Sequence, residues 1–360
     1  MKKIELKLGS NGYSIIIGSG LLEQAGQCLR DSGYSNRVVV ITDNSVRRRY
    51  GRILRNSFLS RGLQVSVLSV PSGEEQKSLE TAGSLFNRLS EIKAERTTPI
   101  VALGGGVIGD LAGFIAATYL RGVPFIQVPT TLLAQVDSSI GGKVAVNHEQ
   151  LKNNIGAFYQ PKLVLSDTST LKTLSARQIR DGLAEIIKYG VIMDKELFSY
   201  LEENIERIKS MDAESLEYVI SRSAGIKADV VEKDERDSGL RNILNYGHTI
   251  GHAVETVSNF KVSHGEAVAV GMLAAARISR KMGILAETEL IRLENLVKKA
   301  GLPLKIPSLN PGKMIEAMKH DKKILHGNVR FVLARSIGEV YVSEDVSASL
   351  IKKVLVELNG

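Results

Sequence analysis

The stretch "PIVALGGGVIGD", Pro99 to Asp110, sets a short apolar run against a glycine cluster and a second apolar segment. Ile100 to Leu103 is apolar on both faces, which suits a strand inside a parallel sheet better than one facing water. Gly104, Gly106 and Gly109 follow in G-x-G-x-x-G spacing and open the periodic segment Val107 to Ala117, so the reading is strand, tight turn, helix. Glycines at such a turn let backbone amides approach a pyrophosphate at the positively polarised start of a helix. A tight turn without a ligand also demands glycine. The ribose-binding acid usual about 20 residues downstream is absent. An acid instead ends an earlier strand, Asp43 in "VVVITDNS", where its carboxylate can accept both adenosine ribose hydroxyls. Dinucleotide binding is expected, on a strand order different from the usual one.

The same rhythm continues on both sides. "RVVVIT" (Arg37 to Thr42), "LQVSVLSV" (Leu63 to Val70), "PFIQVPTT" (Pro124 to Thr131) and "KLVLSD" (Lys162 to Asp167) are further strands of this kind. Helical segments such as Leu79 to Ile92 supply the crossovers. "KIELKL" and "YSIIIGS" near the start read as an antiparallel pair at one edge. After the polar connection "SDTSTLKTLSAR" the pattern changes, and from Arg177 to about Lys299 nearly everything has helical spacing. "VRFVLARSIGEVYVSE" then reads as a small hairpin and "SASLIKKVLVELN" as a closing helix. A chain of 360 residues is thus expected to fold as two domains, an α/β half followed by a helical half.

The net charge of +8 admits nucleic acid, acidic membranes or acidic small molecules as partners. The chain has no Trp and no recognisable nucleic-acid-binding signature, so stacking platforms are missing and an anionic metabolite fits better. "RRRY", Arg47 to Tyr50, reads as a solvated helix face. The longest apolar run of interest, "AVAVGMLAAA" (Ala267 to Ala276), is far short of the ~20 residues a membrane span requires and reads as a buried helix. A single cysteine, Cys28, cannot form an internal disulfide, and the start lacks a signal-peptide pattern. A cytoplasmic location is expected.

The stretch "NYGHTIGHA" places His248 and His252 four residues apart on one helical face, a spacing that can share a cation. No glutamate lies between them, which excludes a zinc-protease reading. His264 opens the next helix in "SHGEAV", so three of the six histidines fall close together. "RDGLAEIIKYG" offers Glu185 in an apolar helical stretch with Lys188 one turn on, either as a third metal ligand or as a simple salt bridge. "PSGEEQKS" and "VPTTLLAQVDSSIGGKVAVN" follow two other strands and lie on the same carboxyl edge of the sheet, which makes Glu74, Lys77, Thr130, Thr131, Asp137 and Lys143 candidates by location.

Taken in order, "SGEEQKS", "GGGVIGDLAGFIAATYLRG", "QVPTTLLAQVDSSIGGKVAVN", "KNNIGAFYQP", "DGLAEIIKYG", "LNYGHTIGHAVE", "HGEAVAVGM" and "DKK" resemble the 3-dehydroquinate synthase family over nearly the whole chain. The resemblance implies an N-terminal Rossmann-like, mostly parallel α/β domain for dinucleotide binding over residues 1–174, and a mainly α-helical metal- and substrate-binding domain over 175–360. It implies metal ligands Glu185, His248 and His264 for Zn2+ or Co2+. His252 then belongs to a phosphate site with Lys143, Asn153, Arg241 and Lys322, completed by Arg121 from a second subunit, so a homodimer is implied. Asp137, Lys152, Lys188, Lys227 and Asn245 match substrate-contacting positions. NAD contacts map to Asp43; to Ser72, Gly73, Glu74, Glu75, Gln76 and Lys77; to Gly105, Gly106, Val107, Ile108, Gly109 and Asp110; to Thr130, Thr131, Lys143 and Lys152; and to Thr170, Leu171, Lys172 and Thr173. The implied reaction takes 3-deoxy-D-arabino-heptulosonate 7-phosphate to 3-dehydroquinate by transient oxidation, phosphate elimination, re-reduction, ring opening and aldol closure. Ala176 and Gln178 stand where the family pattern has proline and glutamate, which bears on the local path into the metal-binding helix. Two rivals remain: a metal-dependent polyol dehydrogenase or another sugar-phosphate cyclase on the same scaffold, and a non-enzymatic nucleic-acid binder.

Overall fold

The computed structural model describes residues 1–149, 151–306, 309–320, 324–325 and 328–359, so the expected site residue Lys322 lies outside the described residues. The chain forms two compact units, Met1–Leu174 with Leu216–Glu232, and Ser175–Ser215 with Lys233–Gly360. Most of helix α8 (Ala213–Lys233), which lies in the helical half of the expected division at residue 174, groups with the α/β unit. Its polar face explains why. Lys227 donates to Asp137, Glu217 pairs with the Met1 amino group, and Glu232 accepts from the Lys7 amide, all within the first unit.

In that unit the strands are β1 (Lys2–Leu6), β2 (Tyr13–Gly18), β3 (Arg37–Asp43), β4 (Gln64–Val70), β5 (Ile100–Gly104), β6 (Phe125–Pro129), an antiparallel hairpin of β7 (Lys143–His148) with β8 (Leu151–Phe158), and β9 (Leu163–Asp167). Seven of them form one sheet in the order β1-β2-β9-β6-β5-β3-β4, with β1 as the antiparallel edge expected from the sequence and every other pairing parallel. Successive side chains take opposite faces. Val38 and Val40 pack with helices α1 (Leu21–Asp31) and, past the three-residue α2 (Asn44–Val46), α3 (Arg52–Leu59). Val39 and Ile41 pack with α4 (Leu79–Glu91) and α5 (Gly106–Thr118). Covering both faces is what makes these strands apolar throughout.

Numbered among themselves, the five parallel strands from β3 onward, hairpin excluded, run 2-1-3-4-5, and the order reverses between β3 and β5. Open α/β sheets bind ligands at the carboxyl ends flanking such a reversal. Thr42 pairs in register with Leu103, so Asp43 and the glycine loop leave the sheet side by side at that point.

The second unit holds α6 (Ala176–Met193), α7 (Lys195–Lys209), α9 (His248–Val257), α10 (His264–Lys281), α11 (Glu287–Lys299), α12 (Pro311–His320) and α13 (Ala348–Asn359). Short strands β10 (Ile324–Leu325) and β11 (Asn328–Val329) precede the expected hairpin of β12 (Phe331–Ser336) and β13 (Glu339–Ser343). Ala267 to Ala276 of α10 is wholly buried, as its composition foretold. Helices α9 and α10 cross at glycines: a Cβ on Gly271 would meet the Gly247 carbonyl oxygen at 1.9 Å. Among the described residues no helix is long and apolar enough to cross a membrane.

Candidate active site

Three helices of the second unit converge on one cluster. Glu185 comes from the middle of α6, and His248 and His264 are the first residues of α9 and α10. Both α6 and α10 begin with a reciprocal capping box, Ser175 with Gln178 and Ser263 with Glu266, which fixes where each helix starts. Gln178, the departure from the family pattern, therefore does the work a glutamate would do there. Glu266 is accounted for in the same way.

The Glu185 carboxylate is fully buried, and its two oxygens have different partners. Oε1 lies 3.5 Å from His248 Nε2 and 3.4 Å from His264 Nε2, while Oε2 pairs with the buried Lys188 ammonium. The salt bridge to Lys188 thus uses one oxygen while the other faces the two imidazoles. Donors at about 2.1 Å from a tetrahedral ion sit ~3.4 Å from one another, so this separation and the mix of two imidazoles and one carboxylate fit a catalytic divalent cation. The three donor atoms lie within 4.8 Å of one another. The Tyr246 carbonyl lies 3.2 Å from His248 Nδ1, where it can accept an N–H and leave the Nε2 lone pair for the ion.

Burial drives the His248 imidazole well below its ordinary pKa despite the adjacent Glu185, which keeps it neutral as a ligand must be. Burial acts in the same direction on His264, but the carboxylates of Glu185 and Glu255 outweigh it and raise that ring to about 10. That proton would have to leave for His264 to serve as a metal ligand. His252 stands edge-on to His248, ring centroids 5.4 Å apart at 90°, and is not a member of the donor cluster. Arg241 is buried in the turn preceding α9, where its guanidinium donates to the Glu235 carbonyl and its amide to Asp234. Asn245 ends the same turn.

In the first unit, the glycines of the loop do not adopt left-handed backbone; they are needed for close approach. A Cβ on Gly105 would meet Thr131 at 3.0 Å, and one on Gly109 would meet Gln127 of β6 at 3.0 Å. No side chain caps α5, and the first amides of an uncapped helix, here at Gly106, Val107 and Ile108, are a general anion-docking geometry. Asp43 Oδ1 accepts from the Ser45 and Val46 amides and from Ser72 Oγ, which ties the end of β3 to the loop after β4. Gly73, Glu74, Glu75 and Gln76 continue that loop, and Gly73 has φ +138. Lys77 is buried and donates to both Asp110 and Asn153. Burial raises the Asp110 carboxyl above its ordinary range, and Lys77 offsets part of that.

Thr130 bonds back to Gly104, Thr131 caps the turn carrying Asp137, and Asp137 Oδ1 lies 2.8 Å from Lys227 Nζ. Thr170 and Leu171 are buried in the turn after β9, while Lys172 and Thr173 are exposed. Lys143 and Lys152 are exposed on the β7–β8 hairpin. Arg121 is exposed in a turn where Leu120, Arg121 and Gly122 all have positive φ. Sequence reading missed Glu255, whose carboxylate faces His264, and Asp181, which accepts from Ser263 Oγ and the Gly265 amide. Glu255 sits three residues beyond His252 on a stripe already carrying two histidines, and that spacing was the available signal.

The 3-dehydroquinate synthase N-terminal profile matches residues 67–181, and the C-terminal profile matches residues 182–324. A 3-dehydroquinate synthase of Dehalococcoides mccartyi is 49% identical over 99% of this chain and 100% of its own length. The chain belongs to the 3-dehydroquinate synthase family. A family member from Desulforamulus reducens is 48% identical over 99% of both chains. Among solved structures, a 2-epi-5-epi-valiolone synthase of Streptomyces hygroscopicus with NAD+ and Zn2+ bound superposes with a TM-score of 0.89 at 29% identity, covering 96% of each chain. A 2-deoxy-scyllo-inosose synthase complexed with carbaglucose-6-phosphate, NAD+ and Co2+ gives 0.87 at 29% identity, covering 99% of this chain and 100% of its own. A glycerol dehydrogenase of Schizosaccharomyces pombe gives 0.66 at 16% identity, a likeness of fold alone.

Proposed function

We propose that this enzyme converts 3-deoxy-D-arabino-heptulosonate 7-phosphate to 3-dehydroquinate and phosphate, with NAD returned unchanged. The observation that carries the reading is the Glu185, His248 and His264 cluster, its three donor atoms all within 4.8 Å of one another, in a chain so similar over its full length to 3-dehydroquinate synthases. When bound, a divalent cation, Zn2+ or Co2+, supplies stabilisation of negative charge on a substrate oxygen, and NAD supplies reversible hydride transfer.

The chain's own residues bind and orient. On the α/β unit, Asp43, the Ser72 to Lys77 loop, the Gly105 to Asp110 turn, Thr130, Thr131 and the Thr170 to Thr173 turn hold the dinucleotide. The amides of the α5 start take its pyrophosphate. Lys143 and Lys152 serve cofactor and substrate, Asn153 the phosphate, and Asp137 and Lys227 the substrate hydroxyl or carboxylate groups. On the helical unit, Lys188 and Asn245 contact substrate, and Arg241 and His252 bind its phosphate. Two neighbouring imidazoles on α9 thereby divide the labour, one toward a cation and one toward an anion. Lys322 completes the phosphate contacts, together with Arg121 from a second copy in a homodimer; the exposure of Leu120 and Arg121 on their constrained turn supports that assembly. A reducing cytoplasmic setting accords with the single cysteine.

The test is to incubate the enzyme with the heptulosonate phosphate and a trace of NAD. Stoichiometric phosphate release, 3-dehydroquinate as product and no build-up of reduced nicotinamide are expected. Net accumulation of NADH would instead support a polyol dehydrogenase.

A further inference from the structure

We propose that Glu255 is a positioning residue of the metal site, holding the His264 ring so that its Nε2 faces the cation and strengthening it as a donor. The inference rests on the reading that Glu185, His248 and His264 bind the ion. His264 is bracketed by carboxylates on opposite edges of its ring: Glu185 Oε1 lies 3.4 Å from Nε2, and Glu255 Oε2 lies 3.7 Å from Nδ1. The backbone beneath the ring is already clamped. Ser263 and Glu266 form the capping box, and Asp181 accepts from both the Ser263 hydroxyl and the Gly265 amide. Rotation of the side chain is the freedom that remains, and the ion-pair contact of the Glu255 carboxylate with the Nδ1 edge opposes it.

Helix geometry supplies that carboxylate from the correct side. His248, His252 and Glu255 stand at i, i+4 and i+7, a single stripe along α9, while Thr249, Ile250, Gly251, Ala253 and Val254 are buried in the packing. The two ligand imidazoles are consequently supported in different ways. His248 has a neutral carbonyl beside its Nδ1, and His264 has a largely buried carboxylate, with the Glu255 side chain only 13% exposed. A ligand histidine facing a carboxylate is the more basic donor. The charges also balance: a dication and the Lys188 ammonium against the Glu185 and Glu255 carboxylates leave one net positive charge, enough to attract a substrate oxygen without binding the ion in a neutral, inert cage.

The experiment measures zinc affinity by competition with a chromophoric chelator, and the visible spectrum after cobalt loading, for wild type, Glu255→Ala, Glu255→Gln and Glu255→Asp. Zinc binding about 10- to 100-fold weaker is expected for the alanine variant, with an intermediate loss for glutamine and partial rescue by aspartate. The cobalt bands of the glutamine variant should shift while its apo-protein still unfolds in one cooperative transition with the wild-type denaturant slope, a pattern that loss of packing does not produce. If the alanine variant folds poorly, the near-isosteric glutamine variant carries the test. Wild-type zinc affinity and an unshifted cobalt spectrum in Glu255→Gln would overturn the proposal while leaving the metal reading intact. A wild-type protein that takes up neither ion would overturn the metal reading itself.

Discussion

Gly271 of α10 packs directly on the backbone of Gly247, the residue that opens α9, and replacing it with alanine tests how the fold sets the metal site. The added methyl would lie 1.9 Å from the Gly247 carbonyl oxygen, against 3.0 Å for the tightest real contacts and 3.4 Å for ordinary ones, so the two backbones must move apart by about 1.1–1.5 Å along that line. The obstacle is backbone and cannot rotate away. Overpacking of this kind costs about 3 kcal/mol. His248 directly follows Gly247, so the same movement carries one donor away from the other two, and metal sites tolerate only about 0.2 Å. Gly271→Ala should therefore lower stability in urea denaturation by about 3 kcal/mol and weaken zinc binding roughly 100-fold or more in chelator competition. Gly225→Ala is the control: that glycine lies inside α8 with nothing within 4 Å of the added Cβ, and the substitution should stabilise by about 0.5–1 kcal/mol. Unchanged stability and zinc affinity in Gly271→Ala would refute the reasoning, since the helices would then not meet as closely as described.

Three further outcomes are expected. His252→Ala should keep zinc near stoichiometric while slowing phosphate release by roughly 100-fold or more, because the ring lies outside the donor cluster; collapse of metal content would contradict that division. Asp234→Ala should cost about 1–2 kcal/mol at neutral pH after allowance for solvent screening. Burial is the largest single influence on Asp234 and raises its carboxyl, but the Ser238, Arg241 and Gly239 amides and the Ser238 hydroxyl together outweigh it and hold the group at about 2. The depressed value means that this contribution is complete above the unfolded pKa and fades as pH falls toward 2, so the gap between wild type and variant in denaturation should narrow from about pH 4 downward. Lys77→Met should leave the Asp110 carboxyl without its cation and cost about 2–3 kcal/mol, and adding Asp110→Asn should restore part of the loss; a purely additive double variant would count against the pair.

The sequence disclosed the parallel sheet because strands covered on both faces are continuously apolar, as Val38 to Ile41 are. It disclosed the glycine turn and the histidine stripe because both are local in the chain. The β7–β8 hairpin escaped notice because almost every residue of β8 is exposed and no alternation betrays it. Helix α8 was assigned by neighbourhood, yet its partners are Met1, Lys7 and Asp137, distant in sequence. Whether Glu185 was a ligand or half of a salt bridge could not be read from spacing, since the answer depends on which oxygen faces which helix. Asp181 was invisible, and Glu255 showed only its place on the histidine stripe: each meets His264 or its flanking residues across helix packing that no local pattern reveals.

The most direct test of the account is anomalous diffraction at the zinc absorption edge from crystals of the zinc-loaded enzyme. One strong peak is expected about 2.0–2.2 Å from Glu185 Oε1, His248 Nε2 and His264 Nε2 together. A peak bound elsewhere, or three donors with no peak among them in fully loaded crystals, would contradict it.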